Sequence, residues 1–172
     1  MKTINSGIST LPLVQCINER TAKHLVLWDC EEVHNESEEQ QGSTYRYKAE
    51  EFDHKPTLDE VKEIILKSHN DEIDQKILSG FVWNEMPIWL SKENQFNYKA
   101  GYDLAVQTDG ASLPVTFKFG TTDNPAYYTF EDLATLKDFF MKAMTYINTT
   151  LEAGWQEKDA IDWTPYENIL EP

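Results

Sequence analysis

The chain has 172 residues, 40% hydrophobic and 26% charged, values that exclude wholesale disorder and allow one main domain with its own core plus an appendage. The 15 Lys and Arg stand against 30 Asp and Glu, and the net charge of −15 repels phosphate backbones and anionic lipid head groups, so neither nucleic acid nor a membrane is an expected partner. Residues 1–10 lack an apolar run of signal-peptide length, and no stretch approaches the ~18 apolar residues of a membrane span, which points to synthesis in the cytoplasm.

Residues 1–20 hold Gly7, Pro12 and the apolar Ile8, Leu11, Leu13, Val14 and Ile17 without helical period, and read as an extended arm. His24 to Cys30 and Thr44 to Phe52 are β-rich. In the second, Tyr45, Tyr47 and Ala49 alternate with Arg46, Lys48 and Glu50, so the two pieces predict a hairpin. Its loop, Glu31 to Ser43, carries five Glu and two Gln and is expected to be solvated and mobile. Cys16 and Cys30 lack CxxC spacing and read as reduced core thiols.

Thr57 and Glu60 have the spacing of a capping box. The helix they open carries a stripe of Leu58, Val61, Ile65, His69, Ile73 and Ile77, which Asn70-Asp71 interrupts or leaves intact, and Gly80 ends it. Phe81 to Trp83 and Met86 to Leu90 flank Asn84-Glu85 and predict a tight hairpin with Pro87 at an edge. Ser91 then caps a second helix, which places Phe96, Ala100 and Leu104 on one face and should end by Gly110.

Val115, Phe117 and Phe119 alternate with polar residues, and Asp123-Asn124-Pro125 turns the chain into Ala126 to Phe130, a further hairpin. Thr129 is the expected cap of a long helix with the stripe Leu133, Leu136, Phe140, Ala143, Ile147 and Leu151, stopped at Gly154. Ile161, Trp163, Tyr166, Ile169 and Leu170 predict a docked tail. The whole reads as an α+β fold: an antiparallel sheet of two or more hairpins packed against about three helices, with an N-terminal extended arm and β-hairpin. The expected division is an arm and hairpin over 1–55 and an α+β domain over 56–172.

Residues that could carry chemistry are scattered. The histidines at 24, 34, 54 and 69 have no His-x-x-x-His or Glu-x-x-His spacing, and no GxGxxG, Walker A or GxSxG element occurs, so no catalytic residue, metal ligand or cofactor is assigned. With 30 acidic residues, some pair of carboxylates falls at glycosidase separation by chance alone. Protein contact is the remaining reading. Trp83, Trp89, Tyr127 and Tyr128 lie on hairpins, where alternation turns some side chains outward if others enter the core. Together with Leu11, Leu13 and Ile17 of the arm they are the candidate partner-binding residues, against the plainer alternative that they are core.

From Thr57 to about Trp163 the chain resembles a domain of unknown function that recurs in tail-fibre and tail-fibre-assembly proteins of tailed phages and prophages. The residues carrying the likeness are EIDQKILSGFVWNEMPIWLSKENQFNYKA at 72–100 and LPVTFKFGTTDNPAYYTFEDLATLKDFFMKAMTYINTTLEAGWQEKDAI at 113–161. Within them an Ile-x-x-Gly-Phe strand, a Ser-x-x-x-Gln helix, an Asp-Asn turn and a long closing helix follow in order. Such motifs mark packing and turns, and no catalytic residue comes with them. The resemblance implies a non-enzymatic structural protein of the virion, associated with tail or fibre, or alternatively a cytoplasmic chaperone of fibre assembly. Its expected partners are other phage structural proteins, fibre, tail, baseplate or head, with a homo-oligomer compatible. Its expected location is the host cytoplasm during synthesis and the virion thereafter.

Overall fold

The computed structural model describes residues 2–33, 44–120 and 123–171. In chain order the elements are β1 (Lys2–Ser6), β2 (Val14–Asn18), β3 (Lys23–Val33), β4 (Thr44–Phe52), α1 (Leu58–Ser79), β5 (Phe81–Trp83), β6 (Met86–Ile88), α2 (Lys92–Gln107), β7 (Val115–Gly120), β8 (Pro125–Phe130), α3 (Leu133–Asp159) and α4 (Thr164–Leu170). This is the expected α+β fold, with antiparallel sheets, the N-terminal β3–β4 hairpin and a further short helix, α4, made by the tail. From residue 34 to 43 the acidic loop lies outside the described residues.

The chain divides into two units, Met1–Ser68 with Ile161–Pro172, and His69–Ala160. The boundary expected at 55/56 falls instead inside α1. The reason is that Leu58, Val61 and Ile65 of its first half pack with Val26 and Trp28 of β3, whereas Ile73 and Ile77 of its second half belong to the core of the second unit. Asn70-Asp71 does not break the helix. Its capping box forms as expected: Thr57 N–H donates to Glu60 Oε2 (2.8 Å) and Glu60 N–H to Thr57 Oγ1 (3.3 Å). Beside it, the exposed His54 places Nδ1 2.9 Å from Asp53 Oδ1 and Nε2 3.0 Å from Glu60 Oε1. The Asp53 bond, and then the Glu60 bond, hold the His54 pKa above its ordinary value.

In the first unit the strands lie in the order β1-β4-β3-β2, every pair antiparallel, a Greek key. The supposed arm therefore supplies both edges of this sheet. Strands of five residues are too short for their alternation to stand out in sequence, and backbone ladder bonds fix them. The link from β1 to β2 crosses one face of the sheet like a strap. There Tyr47 donates its hydroxyl to Ile8 O (3.2 Å) and accepts from Leu11 N–H (3.4 Å), and Leu11 and Leu13 close over Leu25, Leu27, Tyr47 and Ala49.

The opposite face, with Val26 and Trp28, is covered by α1 and α4. Hence four successive residues of β3, Leu25 to Trp28, are buried, as expected of a strand covered on both sides. Just before β2, Leu13 still lies along the edge of β3 and accepts from Leu27 N–H (2.8 Å), while the Leu27 carbonyl accepts from the buried Tyr166 hydroxyl (2.8 Å). Farther along, β3 bulges between Trp28 and Glu31, with Asp29 at φ 48° and its carboxylate 2.7 Å from Lys48 Nζ. Cys16 and Cys30 are free, but exposed: both lie outside the core expected for them.

The second unit is built on an aromatic core. Phe139 of α3 touches Phe81, Trp83, Tyr98, Phe117, Phe119 and Phe130, with ring centroids between 5.1 and 6.4 Å. Asn84 and Glu85 join β5 to β6 with φ of 48° and 64°, the pair of left-handed residues a type I′ turn requires. Strands β7 and β8 pair from Val115 opposite Phe130 to Gly120 opposite Pro125.

Two local expectations fail here. Asp132, not Thr129, caps α3, accepting from Thr135 N–H at 2.8 Å, while Thr129 bonds across the hairpin to Thr116 (2.9 Å). Gly154 does not stop α3, which runs on to Asp159; it is buried where any Cβ would strike Ile73, so it is a packing residue. In α2 the buried face is Tyr98 and Ala105, with Gly101 so close to the Phe117 ring that a Cβ would crowd it, and Phe96, Ala100 and Leu104 point to solvent. The helix carries two apolar stripes, and the one containing glycine can approach the aromatic core more closely.

Candidate protein-binding surface

The residues proposed from sequence for partner contact separate into two groups. Trp83 is only 3% exposed and donates its indole N–H to Asp138 Oδ2 (3.1 Å), and Tyr128 packs edge-on against it with centroids 4.9 Å apart. Leu11 and Leu13 belong to the strap described above and are half-buried against the sheet. These four are core or core-facing residues, a correction whose cause is that both faces of the first sheet are covered and that the inner faces of the second unit's hairpins converge on Phe139. Ile17, Trp89 and Tyr127 are exposed, at 46%, 48% and 69%. Tyr127 stands opposite Lys118 on the wet face of β7–β8, beside the Thr116–Thr129 pair.

Sequence reasoning missed the most exposed apolar side chain. Phe96 on α2 is 72% exposed and Leu104, two turns on, 52%. The signal was available in the second apolar stripe of the same helix: a 16-residue helix packed on one side of a core can bury only one. The start of α2 is held firmly. Ser91 accepts from Asn94 N–H (3.2 Å), and the Asn94 and Gln95 amides donate to Trp89 O and Leu90 O (2.8 and 2.7 Å), so the stripe is carried on a fixed helix.

A shallow groove of about 400 Å³ lies along α3, floored by Phe81, Met141 and Tyr146 and rimmed by Asp138, Lys142 and Thr149. Asp138, Lys142, Tyr146 and Thr149 there are already engaged. Asp138 accepts from Lys142 (2.9 Å) and Trp83, which together hold its carboxyl below the usual range, and Tyr146 donates to Lys76 O (2.7 Å). The groove is therefore a surface for shape contact more than a place where free polar groups converge on a small molecule. No helix among the described residues is long and apolar enough to cross a membrane. No family model, curated protein or solved structure matches the chain.

Proposed function

We propose that this chain is a structural protein of a tailed phage, associated with tail or fibre, and that it works by binding other proteins. The observation that supports binding is the set of exposed large apolar side chains on the second unit, Phe96 and Leu104 on α2, Trp89 beside it in sequence and Tyr127 on β8. The unpaired edges of β1 and β2 offer a second kind of contact, strand addition. The phage setting comes from the sequence resemblance. Quantitative mass spectrometry of purified particles tests it: this chain at a constant copy number relative to the major capsid and fibre proteins is the expected result. Enrichment with free fibre in the lysate and absence from particles would assign it to fibre assembly as a chaperone, and absence from both would remove the phage reading.

A further inference from the structure

We infer that the exposed stripe of α2 is covered by α2 of a second copy of the chain, in an antiparallel pair about a two-fold axis at Ala100. This inference is independent of where the chain acts. The stripe Phe96, Ala100, Leu104 follows the i, i+4 spacing of one helix ridge, and all three residues are exposed. Its middle residue is the smallest, which lets two helix axes approach where they cross.

The stripe is also self-complementary, as an isologous contact must be. With the axis at 100, positions equally far on either side meet across the pair. Phe96 then meets Leu104. Asp103 meets Asn97 and Glu93 meets Gln107, so each acidic side chain of the exposed face falls opposite an amide that can donate to it. Lys99 is held at 2.6 Å by Asp103 of its own helix, one turn away, and can be shared with Asp103 of the second copy. In a chain of net charge −15, a face on which no acidic residue opposes another is the arrangement that charge complementarity requires of a homodimer. A parallel pairing fails this requirement, since it sets Asp103 against Asp103 and Glu93 against Glu93.

The test uses the full chain with Cys16→Ser and Cys30→Ser, because both native thiols are exposed. Sedimentation velocity from sub-micromolar to high micromolar concentration should show a concentration-dependent dimer, and F96E/L104E should sediment as a monomer with an unchanged circular-dichroism spectrum, since both side chains are solvent-facing. Under mild oxidation A100C should form a disulfide-linked dimer on the order of tenfold or more faster than A153C, a variant at another exposed alanine of the same unit. A monomer at every concentration would overturn the inference. So would a dimer that F96E/L104E leaves intact, or one in which A100C links no faster than A153C.

Discussion

Tyr98 illustrates how a single atom can oppose the core that holds it. Its hydroxyl is buried and has no hydrogen-bond partner among the described residues, and burial pushes its pKa up to about 12. An unpaired buried hydroxyl costs about 1–3 kcal/mol of desolvation, so Tyr98→Phe should be neutral or stabilising by up to about 1 kcal/mol in urea unfolding. Trp83→Phe should do the opposite, costing about 1–3 kcal/mol, because it deletes both ring volume and the bond to Asp138. His54 gives a pH prediction. Its pKa is raised in the folded chain, so its contribution is complete below the ordinary histidine value of 6.5 and is lost as pH rises through the higher folded value. The lowered pKa of Glu60, due first to the Thr57 backbone bond, acts at the other end, where stability is lost as pH falls through its folded value. The urea midpoint should therefore drop between slightly acid and mildly alkaline buffer, and H54Q should flatten that drop.

Among the elements, Gly154 and the first twenty residues carry the sharpest expectations. Gly154→Ala should cost about 1–3 kcal/mol, as overpacking does, and Ile73→Ala should relieve most of that added cost in the double variant; additive losses would show that the contact with Ile73 is not the cause. Deleting residues 1–20 removes both edges of the first sheet and uncovers Leu25, Leu27 and Ala49, so the amides of β3 and β4 should lose their protection from hydrogen exchange while those of α3 keep theirs. A separable arm, the expectation from sequence alone, would leave both sets protected. Long elements were legible because period accumulates: the stripe of α1 and its capping box, the register-bearing alternation of β4 and β7, and the Asn84-Glu85 turn all stand as read. Choices between near-equal neighbours were not. Thr129 or Asp132 as a cap, glycine as stop or as packing residue, and which stripe of α2 turns inward depend on what lies across the core, and that is Phe139, a residue the helical stripe had passed over in favour of Phe140. Among the surface residues, alternation required some of Trp83, Trp89, Tyr127 and Tyr128 to face outward without saying which, and it is Trp89 and Tyr127 that do.

At the level of the whole molecule, the second unit is one continuous run of chain with its own core, inserted between two parts of the first. Residues 69–160 expressed alone should keep a cooperative thermal transition and the near-ultraviolet signature of a packed aromatic core; a broad, featureless melt would show that this unit depends on the rest. The first unit, by contrast, is made of two separate runs of chain. The first unit's sheet is closed on one side by α4, whose Tyr166 reaches back 139 residues to bond Leu27. On a translating ribosome the inserted unit is made in full before that helix, while Val26 and Trp28 have only α1 over them until Tyr166 emerges. The first unit is thus completed after the second, and a message truncated before Tyr166 would release a protein with a finished interior unit and a sheet whose one face is only partly covered, the form on which a cell's chaperones and proteases would act first.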